Sequence, residues 1–136
     1  MSNAFIDSGG FFAFLVEEDD FHARAVEIFR EARSERWSLL TTNAVVFETH
    51  ALLISRVRNG RTVALRFLDA VAKGFCRVER VTQADEASAV AIIRAHDDKD
   101  YSMCDAISFV VMERLEFTSA IAFDGHFREY GRFTVY

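Results

Sequence analysis

Short apolar runs alternate with long segments of helical spacing along almost the whole of this chain, and that alternation leaves few folds open. Residues 3–7 read as a short buried strand, and 37–42 (WSLLTT) as a second. Residues 76–81 (CRVERV) alternate like a strand, 119–123 (SAIAF) form another, and 133–136 (FTVY) are a candidate for the last. Between them, 20–34 sets Phe21, Ala25, Ile28, Phe29 and Ala32 at helical spacing. Residues 43–58 read as a helix capped by Asn43 and closing near Gly60, with a second helix over 62–73 that ends before Gly74. Thr82 and Asp85 have the spacing of a capping box at the head of a helix over 83–96. The stretch 102–115 is apolar nearly all round, which suits a central helix. The chain holds no proline, so nothing breaks these helices from within. Strands that take turns with helices imply an α/β fold, a parallel sheet with helices on both faces. With 136 residues and no repeat, linker or low-complexity segment, one domain over 1–136 is expected.

Hydrophobic residues make up 51% of the chain and 14 are Phe, enough for a real core. No apolar run approaches the roughly 20 residues of a membrane span, and no signal peptide is visible, so the expected location is the cytoplasm. Cys76 and Cys104 match no metal-binding spacing and read as reduced, buried thiols. The net charge of −5 counts against a broad basic surface for nucleic acid, unless the acids are concentrated at one place.

Four acids stand where acids are unusual. Asp7 ends the first apolar run in AFIDSGGFF, and Asp124 ends another in IAFDGHF, so both sit at predicted strand carboxyl ends. Ligands of parallel α/β folds bind at that edge. Glu48 shares a helix face with Ala44, Ala51, Leu52 and Ser55, where an unpaired carboxylate is costly. Asp105 stands alone in MCDAISFVVM. Each has an ordinary explanation: Asp7 or Ser8 could cap a helix, Glu48 could reach water past the helix rim, Ser102 and Asp105 have capping-box spacing, and Asp-Gly is a turn signal. One arrangement covers all four. Clustered carboxylates repel, and a hard divalent cation such as Mg²⁺ or Mn²⁺ removes the conflict. Such a cluster supports metal-assisted phosphoryl transfer with no nucleophilic side chain. Asp97, Asp98 and Asp100 read as a solvated loop, with Asp100 the one expected to approach the site.

In this order these segments resemble the PIN-domain family, and especially the VapC-type toxin ribonucleases of prokaryotic toxin–antitoxin pairs. The matching stretches are FIDSGGFFAFL, TTNAVVFETHALL, DKDYSMCDAISFVVM and IAFDGHFREYG. The resemblance implies a three-layer α/β/α sandwich with a mostly parallel sheet and Mg²⁺- or Mn²⁺-dependent cleavage of RNA. It also implies a homodimer and inhibition by an antitoxin protein. It makes Asp7, Glu48, Asp105 and Asp124 the metal-binding acids and Ser8 a supporting hydroxyl. Cys104 stands where many relatives carry Thr, which loses a hydrogen bond but no ligand.

RNA also needs cations. Arg56, Arg58, Arg61 and Arg66 lie in RVRNGRTVALR, a stretch without an acid, and could contact phosphates flanking the scissile bond. A solvated helix end accounts for them equally well. His126 could assist proton transfer or be a surface residue. Phe127 and Tyr130 could stack on a base, though core packing explains them more simply. Other functions remain open at this stage: a non-catalytic PIN-like binding module, or an RNA-processing nuclease outside toxin–antitoxin systems. A signalling receiver domain fits poorly, because the middle acid falls on a helix and Lys99 follows no strand.

Overall fold

The computed structural model describes residues 2–136. Its elements run in the order β1 (Asn3–Ile6), α1 (Ser8–Leu15), α2 (His22–Ser34), β2 (Ser38–Thr42), α3 (Asn43–Arg56), α4 (Gly60–Ala72), β3 (Arg77–Glu79), α5 (Gln83–Ala95), α6 (Met103–Arg114), β4 (Ser119–Ile121), α7 (His126–Tyr130) and β5 (Thr134–Val135). The strands form one sheet in the order β3-β2-β1-β4-β5, and every pairing is parallel. Phe5 of the central strand stands beside Leu40 on one side and Ala120 on the other. Parallel crossovers are right-handed, which puts α1–α4 on one face and α5–α7 on the other. The packing agrees: α1 meets α2 and α3, α3 meets α4, α5 meets α6, and α6 meets α7. This is the expected α/β/α sandwich, with a sheet that is wholly rather than mostly parallel.

The apolar strands disappear into the middle layer. Ala4, Phe5, Ile6, Leu40, Ala120 and Ile121 are fully enclosed. α6 is the most thoroughly buried helix, with Ala106, Phe109, Val111 and Met112 shut away from water, as its lack of a polar face requires. Both expected capping boxes form. Thr82 and Asp85 exchange bonds at the head of α5, and Ser102 and Asp105 do the same for α6. The cap of α3 is Thr42 rather than Asn43: the Thr42 hydroxyl accepts from the Val45 amide at 3.2 Å. The Asn43 side chain instead accepts from the Val81 amide at 2.9 Å and so ties α3 to the segment after β3.

Two short helices add to the elements that periodicity predicts, the first of them the helix that Asp7 or Ser8 could cap. α1 begins directly after Asp7, and its Gly10 explains half of the Gly-Gly pair. A Cβ there would stand 2.5 Å from the Ile121 carbonyl oxygen, so only glycine lets α1 pass this close to the end of β4. α7 occupies the stretch after Asp-Gly and buries Phe127 completely against Phe5 and Phe109. Phe127 is therefore a core residue and unavailable for base stacking. Tyr130 lies flat on Phe109, with ring centroids 4.2 Å apart, and also serves the core.

Candidate metal centre

The chain turns from β1 toward β2 on one side of the sheet, while β4 lies on the other side of β1. The connections leaving β1 and β4 diverge there and open a crevice at the carboxyl edge. Asp7 follows β1 directly, and Asp124 lies three residues beyond β4. α3 brings Glu48 from its second turn, and α6 points its first turn, with Asp105, at the same edge. Four segments thus bring these acids to the same edge of the sheet, where Asp105 and Asp124 meet most closely, together with His126. Asp124, Asp105 and Glu48 lie close enough to Asp7 for their charges to raise its carboxyl.

Asp7 is the most unusual of the four. It is 1% exposed, and neither carboxylate oxygen has a hydrogen-bond partner. Burial first, then the charges of Asp124, Asp105 and Glu48, hold its carboxyl well above the usual carboxylate range. The adjacent Ser8 amide opposes this without closing a bond to either oxygen. A buried carboxylate without a donor is a costly arrangement in the absence of a counter-charge.

The other acids are held by specific partners. The Ser8 hydroxyl donates to Glu48 Oε1 at 2.5 Å, which fixes one oxygen of a half-buried side chain. Asp105 is buried, and its Oδ2 accepts from the Ser102 amide at 3.0 Å while lying 2.6 Å from His126 Nδ1. Asp124 Oδ1 accepts from the His126 amide at 3.0 Å. Desolvation raises the Asp124 carboxyl; that amide bond opposes the shift and Asp105 reinforces it. Burial works against protonation of His126, but the bond to Asp105 and the nearby charges of Asp124 and Glu129 outweigh it and raise its pKa. The Cys104 thiol, beside Glu48, is pushed upward by burial and by Glu48, Asp7 and Asp105, so it stays protonated and unreactive.

These residues suit a hard divalent cation. Asp105, Asp124 and His126 each offer one ligand atom within 4.8 Å of the others. Both oxygens of Asp7 are unpartnered, and its carboxyl is within reach of the charges of Asp105 and Asp124. Two carboxylates and an imidazole at this spacing form a donor set that a divalent cation can use.

The remaining expected residues divide. Arg56 lines a cleft of about 470 Å³ together with Ser8, Glu48 and Asp124. Arg58, Arg61 and Arg66 are exposed on the α3–α4 corner and on α4, away from that lining. Asp100 is exposed on the loop before α6 and has no hydrogen bond or ion pair among the described residues, so its expected approach to the site has no contact behind it. Two aromatic residues of the cleft escaped the sequence reading. The spacing predicts Phe21 on the buried stripe of a helix over 20–34, yet α2 begins at His22 and Phe21 is 49% exposed. Its partner Phe123 is the last residue of the predicted strand 119–123, but β4 ends at Ile121. The one signal was the acidic run EEDD before Phe21, which marks a solvated loop.

Known proteins share this sequence pattern and fold. The family model of the PIN domain matches residues 4–133, a span that includes all four acids. The 23S rRNA-specific endonuclease VapC20 of Mycobacterium tuberculosis is 38% identical over 96 residues, covering 68% of this chain and 70% of that protein. A VapC ribonuclease of Archaeoglobus fulgidus is 32% identical over 127 residues, covering 91% and 78%. The crystal structure of M. tuberculosis VapC20, described as a Sarcin-Ricin loop cleaving toxin, superposes with a TM-score of 0.87 at 30% identity over 96% of both chains. FitAcB from Neisseria gonorrhoeae shares the fold with a TM-score of 0.70 at 13% identity, over 98% of this chain and 96% of its own. Sequence and fold agree, and the chain belongs to the PIN domain family, among its VapC ribonucleases.

Proposed function

We propose that this protein is a divalent-cation-dependent endoribonuclease acting as the toxin of a toxin–antitoxin pair. The observation that carries the reading is the buried, unpartnered carboxylate of Asp7 among three further acids at the switch point of the sheet. Asp7, Glu48, Asp105 and Asp124 would hold Mg²⁺ or Mn²⁺. When bound, the cation supplies positive charge at the scissile phosphate and an attacking water of lowered pKa.

The chain's own groups have separate tasks. Ser8 orients Glu48 through its hydroxyl bond, and the Ser102 amide fixes Asp105. Water attacks phosphorus, the P–O bond to the leaving oxygen breaks, and that oxygen needs a proton. His126, between Asp105 and Asp124, is the group suited to hold and deliver it. Arg56 lies two turns along α3 from Glu48, about 12 Å up the axis, which suits a flanking phosphate. Arg58, Arg61 and Arg66 extend the positive charge over the corner beyond it.

Partners follow from the family. An antitoxin protein would cover the site, and a second copy would cover the exposed stripe Phe47, Ala51 and Ile54 on the outer side of α3, where Phe47 is 63% and Ile54 48% exposed. No helix among the described residues is long and apolar enough to cross a membrane, which accords with action on RNA in the cytoplasm.

The test is cleavage of RNA by the purified protein with added Mg²⁺ or Mn²⁺. Similarity to VapC20 makes a ribosomal RNA loop the first substrate to try. Activity should require the cation, vanish in chelator, and fall at least about 100-fold in Asp7→Asn with the circular dichroism spectrum unchanged. Cleavage that persists in chelator overturns the proposal.

A further inference from the structure

One wall of the cleft is not explained by the acids. Phe21 closes the loop between α1 and α2, and its ring lies flat against Phe123, with centroids 5.1 Å apart and planes 10° from parallel. Both rings line the cleft that holds Glu48, Arg56 and Asp124. Half-exposed aromatic surface is unfavourable in water, yet the loop is built to keep Phe21 there. The Phe21 amide donates to Asp19 Oδ2 at 3.0 Å, and the His22 amide to the Asp19 carbonyl at 3.0 Å. The Phe21 carbonyl accepts the first bond of α2 from Ala25 at 2.9 Å, and His22 Nδ1 lies 2.8 Å from the Ala13 carbonyl of α1. Phe123 immediately precedes Asp124, so the position of the ring pair is tied to that of the acid.

We propose that Phe21, backed by Phe123, is a stacking platform for one RNA base beside the scissile phosphate. The proposal rests on the ribonuclease reading above and assigns these two rings as the residues that hold the base. An aromatic face accepts any base, so this contact selects for an accessible base more than for its identity. Bases within an A-form helix are stacked on their neighbours and offer no free face. The charges set the direction. The Asp19 carboxylate lines the cleft beside Phe21 and repels phosphate, whereas Arg56 attracts it. The base therefore turns toward Phe21 and the backbone toward Arg56.

The experiment compares Phe21→Ala, Phe21→Leu and Phe21→Trp in the full chain with Mg²⁺ or Mn²⁺. The substrate is a hairpin RNA that the unaltered protein cleaves in its loop, with and without an abasic nucleotide next to the cut. Phe21→Ala should raise KM about 5- to 100-fold, with a smaller effect on kcat. Phe21→Leu, equally apolar but without a ring, should behave like Phe21→Ala, and Phe21→Trp should restore cleavage. The abasic substrate should reproduce the loss in the unaltered protein and add little to Phe21→Ala. Normal kinetics for Phe21→Leu, or equal cleavage of a fully paired duplex, would overturn the proposal and leave the ring pair as a protein contact. A second measurement separates this inference from the ribonuclease reading. In chelator, where no cleavage is expected, a mixed-sequence single-stranded oligoribonucleotide should quench the added fluorescence of Phe21→Trp relative to the lone native Trp37. Quenching without cleavage in any metal would sink the nuclease reading alone. Cleavage without quenching would sink only the platform.

Discussion

Asp7 concentrates the conflict that defines this site. Its folded pKa is raised, chiefly by burial, so the folded state holds a proton that the unfolded chain releases near pH 3.9. Stability from this group is fully present below that pH and is lost as pH rises through the folded pKa. The metal-free protein should therefore melt higher as Asp7→Asn than unaltered at about pH 7, and the gap should close as pH falls toward 4. Mg²⁺ or Mn²⁺ should raise the melting temperature of the unaltered protein and leave Asp7→Asn nearly unmoved. Equal melting of the two metal-free proteins across that range would contradict this account. Asp105 shows a different lesson. Its explanation as a helix cap and its place in the acidic cluster are both correct, because one carboxylate accepts from the Ser102 amide and faces His126 as well. Single-residue patterns could not reveal that, since capping is local and the cluster is made by chain segments up to 117 residues apart (Asp7 to Asp124).

At the scale of elements, α5 and α6 are fastened by one cation. Arg114 donates to both oxygens of Asp85, at 2.9 and 2.8 Å, and to Glu79 at 2.8 Å, so β3, α5 and α6 share it. Burial works to raise the Asp85 carboxyl, but the Arg114 and Thr82 bonds together win and hold it below its ordinary value. The linkage sign is opposite to that of Asp7. Asp85 contributes stability above about pH 3.9, which is lost as pH falls through its lower folded pKa. Asp85→Ala should cost about 1–3 kcal/mol near neutral pH, from a broken charge-assisted bond and a broken capping box, and the difference in denaturation midpoint should shrink in acid. The capping half of this device was legible from Thr82 and Asp85 alone. The Arg114 half was not, because it joins residues 29 apart in sequence. For the same reason α1 shows in the sequence only as a possible cap at Asp7 or Ser8: two glycines weaken any helical pattern, and the purpose of Gly10 is visible only against the Ile121 carbonyl.

For the whole molecule, the open question is what covers the apolar stripe of α3. If a second copy does, Phe47→Glu should shift the protein from dimer to monomer in light scattering at micromolar concentration, with secondary structure intact. An unchanged mass would exclude that surface. Alternating strands and helices determined the α/β class by themselves, because a parallel sheet needs long crossovers and a chain of this pattern has no other way to bury its strands. The four acids were likewise visible as residues out of place, since a carboxylate in an apolar run conflicts with its own surroundings. Only the tertiary structure decided that Phe127 belongs to the core and Phe21 to the cleft, that Arg56 alone of four arginines lines it, and that Asp7 has no partner. Local patterns record which face of an element is apolar. What that face meets depends on packing between distant segments, and the site consists of such meetings.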